Sequence, residues 1–357
     1  MFNKKIYNTD YCQACYFRSV AVYPYKKVLL QLTEKCNLNC AHCFVSSTNK
    51  GDDMGFKEIK ENVLPFLLSN SVKKVTLTGG EPLLHKNILD IVGLLVNSSI
   101  AVSICTNASL ITEEFVEKLS YTDLVHFNVS LDGYSYKSHG QFRGISSAQA
   151  FDRIIFNIRL LGKCNKLNGI LVTPNIYATV DEYVDICKFA VEVGAKYVLM
   201  NPLSQFGRGQ ETTNLAFSKE EMLKLRAATE KFNSDNFEVV YIRFPNEGKP
   251  LSSCVAGNIV YIFTNGCVAI CPYMVFAAKD EVSKYKPKDF IIGNVFDYNF
   301  SIDGKLQSYV LPKDCLESYC DNCDFATCGK GCYAAKISRG LFLSECDNDL
   351  CPNTNNI

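Results

Sequence analysis

Six times between Lys27 and Phe232 a short β-branched or apolar run is followed by a helical pattern, and this alternation limits the fold more than any other feature. The runs are Val28–Thr33, Lys74–Thr78, Ala101–Thr106, Leu124–Leu131, Gly169–Thr173 and Lys196–Asn201. Helices are predicted near 57–69, 86–97, 112–119, 147–162, 179–193 and 218–232. The clearest begins with a capping box, Thr179 with Glu182, carries one apolar stripe from Val180 to Val191 and stops at Gly194. Cys187 lies on that stripe and reads as a core residue. Strands separated by helices run parallel, with crossovers of one hand, and six units suit a barrel fragment better than a sandwich. The expected fold is therefore α/β: a partial (β/α)6 TIM-type barrel over residues 27–234. After about residue 235 the texture changes to short strands (Glu238–Phe244, Ile259–Thr264), tight turns such as Asn265-Gly266 and dense cysteine. A small cysteine-rich α+β domain is expected over 235–357, and residues 1–26 read as an N-terminal arm carrying Cys12 and Cys15.

Eighteen cysteines in 357 residues need a reason. The N-terminus has no apolar export segment, and no apolar run approaches the ~18 residues of a membrane span. A cytoplasmic chain with reduced thiols is expected, which turns clustered cysteines towards metal. Seven of them (Cys315, Cys320, Cys323, Cys328, Cys332, Cys346, Cys351) fall within residues 315–351, where even spreading predicts about two. Lys plus Arg equals Asp plus Glu at 37 each, so binding driven by nucleic-acid phosphates or an anionic membrane is not expected.

Directly after the first run stands Cys36-Asn-Leu-Asn-Cys40-Ala-His-Cys43-Phe44. Three thiolates on one short loop can hold three irons of a 4Fe-4S cubane and leave the fourth open. The end of the next run reads Thr78-Gly79-Gly80-Glu81-Pro82. Two glycines let a ligand approach the backbone, and Glu81 offers a carboxylate to an ammonium, although alone the tetrapeptide is also an ordinary turn. The other run ends are polar (Thr106-Asn107, Ser130-Leu131-Asp132-Gly133, Thr173-Pro174-Asn175, Asn201-Pro202), and in α/β barrels such ends face the active site.

The two motifs, in this order and position, resemble the radical S-adenosylmethionine (SAM) superfamily over roughly residues 27–232. The resemblance implies that Cys36, Cys40 and Cys43 ligate a cluster whose open iron chelates SAM, and that reductive cleavage yields a 5′-deoxyadenosyl radical. It further implies Gly79, Gly80 and Glu81 at the methionine amino group, and His42 and Phe44 packed near the cluster or adenine. Ser130 and Asp132 would lie by the ribose or substrate, and Asn107 on the adenosyl side. The stretch Ser138 to Gly144 is similar to a His-Asp-x-x-Arg-Gly signature of a peptide-modifying branch. It departs at Gly140, leaving Arg143 as a contact to the SAM carboxylate.

The second cysteine set looks like the SPASM extension, which holds two auxiliary clusters, one spacer being a residue shorter than usual. By that pattern Cys320, Cys323, Cys328 and Cys346 would hold the distal cluster, and Cys254, Cys271 and Cys332 the proximal one. Three 4Fe-4S clusters are thus implied; the rival is structural zinc, because paired thiolates also suit a tetrahedral S4 site. Cys267 and Cys315 are each a fourth proximal ligand or, alternatively, a catalytic hydrogen-atom donor. Cys105 reads as a buried strand residue, and Cys12 and Cys15 fall outside the pattern. The resemblance implies a flavodoxin- or ferredoxin-type reductant and, for the substrate, a ribosomally synthesised peptide undergoing crosslinking or other oxidative maturation. Against a leader-bound peptide stands the short arm before the first run. The alternative is epimerisation or dehydrogenation of a small molecule such as an aminoglycoside, with a cysteine donor. Sulfatase maturation resembles this architecture too but sets an acid where Pro272-Tyr273 follows Cys271.

Overall fold

The computed structural model describes residues 12–13, 26–245, 248–257, 259–308, 311 and 327–351. Its frame is one ten-stranded sheet. Strands β1 (Lys26–Thr33), β2 (Val72–Gly79), β3 (Ala101–Thr106), β4 (Val125–Ser130), β5 (Leu167–Val172) and β6 (Tyr197–Met200) pair in sequence order, all parallel. These are the six runs read from the sequence, with ends moved by one or two residues. Helices Ile88–Asn97, Ala148–Lys163, Val180–Glu192 and Lys219–Thr229 fill predicted crossovers, while the first crossover is helical from Phe56 to Ser69 with a π-helical middle turn. The Thr179 capping box is present in both directions, Glu182 N–H to Thr179 Oγ1 and Thr179 N–H to Glu182 Oε2, each at 3.3 Å. Cys187 is in the core at 0% exposure.

The sheet does not stop after β6. β7 (Glu238–Tyr241) adds in parallel to β6, and β8 (Ile259–Ile262) pairs in parallel with β1 at the opposite side. β9 (Cys267–Ala269) and β10 (Ile291–Asn294) then extend that side antiparallel. The two short runs after residue 235 thus continue the barrel sheet at both flanks, because their apolar residues bury best against its exposed edges.

Strand alternation divides each strand between two environments. On β1, Val28, Leu30 and Leu32 are fully buried in the main core, and Lys27 and Leu29 line an internal cavity. On β2, Val75 and Leu77 join the core while Lys74, Thr76 and Thr78 face the cavity. Barrel interiors are ordinarily packed with Val, Ile and Leu; here the inward positions are largely polar, which leaves a chamber instead of a plug.

Candidate active site

The exits of β1 and β2 build the entrance to that chamber. Gly80 N–H donates to Thr33 O at 2.9 Å and Glu81 N–H to Lys35 O at 2.8 Å, so the turn after β2 is stitched to the chain leading into the triad. The two glycines are required by this contact: a Cβ on either would stand 2.2 Å from the carbonyl oxygen of Thr33 or Lys35. The close approach expected of a ligand is thus made first by neighbouring backbone, and both glycines still line the cavity.

The triad loop is held by hydrogen bonds from three sides. Cys36 N–H donates to Thr48 O at 2.6 Å, and Ala41 N–H to Phe142 O at 2.9 Å. Arg208 spans the outside, its Nε donating to Cys40 O and its Nη1 to Ser47 O, both at 2.8 Å, while Thr212 Oγ1 donates to Ala41 O at 3.0 Å. No motif in the sequence marks Arg208; its role follows from carbonyls some 160 residues away.

Cys36, Cys40 and Cys43 line one cavity of about 260 Å³ together with Gly79, Gly80, Glu81, Asn107 and Ser130. Burial pushes the Cys40 thiol up to about 12, against the pull of Arg143, and raises Cys36 as well. Such thiols ligate only as thiolates, and a cationic cluster would supply the charge that burial otherwise denies them. Three sulfurs spread along a cavity wall suit a polynuclear cluster, each on its own iron. Among the described residues no three Cys, His, Asp or Glu side chains gather closely enough to hold a single metal ion.

Glu81 is 1% exposed. Its Oε1 accepts from Thr106 Oγ1 (2.7 Å) and Leu83 N–H (3.1 Å), its Oε2 from Asn107 N–H (2.8 Å), yet burial outweighs these bonds and raises its pKa to about 7. An ammonium bound here would restore the ionised form. Asn107 Nδ2 donates to Asn37 Oδ1 at 3.0 Å, tying the end of β3 to the triad loop.

Arg143 lines the cavity that holds the triad, whereas Asp132 does not. Asp132 is fully buried behind the cavity wall, accepting from Arg143 Nε at 2.6 Å and Thr173 N–H at 2.7 Å. Burial opposes its charge, but Arg143 and the nearby histidines outweigh burial and hold its pKa low. Arg143 in turn points Nη1 at Cys40 Sγ (3.8 Å), so it faces the triad from the Asp132 side. His42 stacks on Phe142 at 4.4 Å, and burial lowers its pKa to about 4, leaving it neutral. Phe44 packs edge-on against Tyr273 and Phe276 from the C-terminal segment. Tyr273, absent from the sequence candidates, thereby enters the cavity wall.

Cys254, Cys271 and Cys332 line a second, small cavity with Met274 and Ala334. They arrive from a loop, from the start of helix Pro272–Ala277 and from the start of helix Tyr333–Ile337. A buried ion network closes around the last of them. Asp347 receives Arg243 through two contacts, one of them Nη2 to Oδ1 at 3.1 Å, and accepts from Cys332 N–H at 3.4 Å. Arg339 and Asp349 extend the network. Cys346 Sγ donates to Asn348 Oδ1 at 2.8 Å, whereas Cys328 packs against Cys12, Leu251 and Leu350. Cys12 is tied there by its N–H to Pro250 O and by Ser252 N–H to its own carbonyl, both 2.9 Å. Cys267 sits on β9 with Asn294 Nδ2 3.7 Å from its sulfur, away from the lining of either cavity. Cys15, Cys315, Cys320 and Cys323 lie outside the described residues.

Residues 30–190 match the family model of the radical SAM superfamily. The antilisterial bacteriocin subtilosin biosynthesis protein AlbA of Bacillus subtilis is 27% identical over 323 residues, 87% of this chain and 68% of its own. Mycofactocin maturase MftC of Mycobacterium tuberculosis is 27% identical over 331 residues, covering 89% of this chain and 80% of its own. Among solved structures, Streptococcus suis SuiB bound to precursor peptide SuiA superposes with a TM-score of 0.67 at 19% identity, covering 88% of this chain and 74% of that one.

Proposed function

Because the chain carries a radical SAM domain, we propose that it is a radical SAM peptide maturase, removing a hydrogen atom from a residue of a ribosomally made peptide. One observation carries the reading: three thiols of one loop, the Gly79-Gly80-Glu81 turn and a polar barrel interior share a single cavity. The names of AlbA, MftC and SuiB with its peptide support the substrate class. Bound SAM and a reduced 4Fe-4S cluster supply the 5′-deoxyadenosyl radical. The chain does the rest. Cys36, Cys40 and Cys43 ligate the cluster, and Arg208 holds their loop in place. Glu81 receives the methionine ammonium, with Gly79 and Gly80 beside it, while Asn107 and Ser130 border the adenosyl side. Arg143 faces the triad at Cys40, and Asp132 positions Arg143. His42 and Phe44 wall the cavity against water.

The second cavity supports a proximal auxiliary cluster on Cys254, Cys271 and Cys332, with Cys315 left as the candidate fourth ligand because Cys267 does not line that cavity, and a distal one on Cys320, Cys323, Cys328 and Cys346. In this reading residues 27–234 make the radical, residues 235–357 house the auxiliary clusters and residues 1–26 are an N-terminal arm, of which Cys12 packs beside Leu251 and Leu350. A flavodoxin- or ferredoxin-type protein delivers the electron. Auxiliary clusters allow the substrate radical to be oxidised, giving a crosslink or unsaturation; a cavity-facing thiol favours a second ending, quenching by a hydrogen atom. Among the described residues no helix is long and apolar enough to cross a membrane.

The test is co-expression with the short open reading frames that neighbour the gene, followed by mass spectrometry of each peptide. A mass or stereochemical change that needs intact Cys36, Cys40 and Cys43 supports the reading. SAM cleavage with every such peptide unchanged overturns the substrate assignment.

A further inference from the structure

β3 places its residues on two faces. Val102 and Ile104 are at most 1% exposed in the core, while Ser103 and Cys105 line the cavity that the triad also lines. Cys105, read from the sequence as a buried strand residue, is instead half-buried, since the alternation that buries Ile104 turns Cys105 into the chamber. Neither sequence candidate for a hydrogen donor takes that position: Cys267 lies outside the cavity lining, and Cys315 lies outside the described residues.

The surroundings of Cys105 orient its sulfur. Tyr197 OH donates to Asn128 Oδ1 at 2.6 Å, and Asn168 Nδ2 reaches the same oxygen at 3.0 Å. Two donors on Oδ1 define which end of the amide is oxygen, and the opposite end, Nδ2, stands 3.9 Å from Cys105 Sγ. Gly169 makes this possible, because a Cβ there would stand 2.4 Å from the Tyr197 ring, which lies across that strand to reach Asn128. The sulfur accepts from Asn128 and Cys105 lines the cavity, so its own hydrogen is not committed to that contact. Burial raises the thiol's pKa, which keeps the hydrogen in place at neutral pH.

A second observation marks the chamber as a place where something binds. Thr76 Oγ1 and Ser47 Oγ are buried (4% and 5% exposed), belong to residues that line the same cavity and have no hydrogen-bond partner. A buried hydroxyl without a partner is destabilising unless a ligand meets it.

We propose that Cys105 is a hydrogen-atom donor to carbon radicals formed in this cavity. The S–H bond breaks homolytically, its hydrogen forms a new C–H bond at the radical carbon, and a thiyl radical remains on Cys105. One electron from the ferredoxin- or flavodoxin-type donor and one proton from solvent restore the thiol. Applied to a peptide, abstraction from one face of a carbon and donation from the other inverts a stereocentre with no change in mass. The inference rests on the reading of the cavity as a radical SAM site.

The test needs no peptide. SAM alone is turned over by the reconstituted protein in deuterated, thiol-free buffer, where Cys105 exchanges to S–D and the radical available in the cavity is the SAM-derived one. The released 5′-deoxyadenosine is expected to carry one deuterium. Cys105→Ser, whose O–H bond is too strong to donate to carbon, should lose the label and keep cleaving SAM; Cys105→Ala should do the same. A label unchanged in both variants overturns the proposal. Absence of SAM cleavage in the unmutated protein instead overturns the radical SAM reading on which it rests. A readout without cofactor is methylthiolation of the metal-free protein by methyl methanethiosulfonate, which forms a mixed disulfide and releases methanesulfinate: Cys105 should be modified under conditions that spare Cys187, which is 0% exposed. Equal protection of both would show that Cys105 does not face an open chamber, and the proposal falls.

Discussion

The triad loop and the C-terminal cysteine region solve a similar problem in opposite ways. Cys36, Cys40 and Cys43 occupy eight consecutive residues between two exits of one sheet, so local geometry brings the thiols to one cavity wall. Cys254, Cys271 and Cys332 span 79 residues and meet only because a loop and two helices pack together. The first arrangement is supported by backbone hydrogen bonds and Arg208; the second depends on a buried ion network, Arg243–Asp347 with Arg339 and Asp349. A site made by distant segments has no rigidity of its own, and removing one support loosens several ligands together.

The sharpest test of that difference is to delete thiols from each set. Replacing Cys36, Cys40 and Cys43 by Ala should remove about four of the roughly twelve irons of reconstituted protein and all SAM cleavage. Replacing Cys254, Cys271 and Cys332 should remove a similar amount of iron while SAM binding persists, measured by iron and sulfide content and equilibrium binding. Loss of SAM binding in the second variant would break the separation of the two regions. Zinc in the C-terminal sites, with iron near four, would overturn the auxiliary clusters.

Next comes the ion network. Arg243→Met leaves Asp347 buried without its main partner, which costs about 3–5 kcal/mol. Denaturant unfolding should show that loss, and the C-terminal irons should fall before the triad's. If the triad iron goes first, the idea that support is local to each region fails.

The pH profile separates the regions by sign. Glu81 ionises near 4.5 when unfolded and near 7 when folded, so the folded state binds the extra proton between those values. Its contribution is full below about 4.5 and is lost as pH rises towards 7, by up to about 3 kcal/mol in ligand-free protein. Asp347 acts oppositely: burial resists its charge, but Arg243 outweighs burial and lowers its pKa, so its contribution is lost as pH falls through the carboxylate range. Asp132, held by Arg143, adds to that acid limb. Urea titrations across pH should show both limbs, and Glu81→Gln should remove the one above 4.5.

Glu81→Gln carries the smallest expected change in folding. Both carboxylate oxygens accept N–H or O–H donors, so the amide end of Gln would meet a donor, costing about 1–3 kcal/mol. SAM affinity should fall further than stability alone explains, because the partner of its ammonium is gone. Unchanged affinity would reduce Gly-Gly-Glu-Pro to a turn that only joins two strands.

Much of the barrel was legible because its determinants are local. Period-two and period-3.6 patterns reflect which face each residue buries, and the Thr179–Glu182 cap lies within four residues. The triad was legible for the same reason. Less visible was that β7 and β8 join the barrel sheet at opposite flanks, since an apolar run does not specify which edge it pairs with.

The sequence by itself determined the six alternating strands and helices, the parallel run of the strands and the three thiols of the first loop, because each depends on neighbours a few residues apart. Only the tertiary structure decided that Arg208 clamps that loop, that Asp132 holds Arg143 from behind the wall, that Asn128 meets the Cys105 sulfur and that Arg243 secures Asp347 beside Cys332. These contacts join residues between 11 and 168 positions apart. Their partners are chosen by burial: an oxygen, sulfur or charge removed from water must find a complement in the fold, and sequence spacing does not say which segment will bring it.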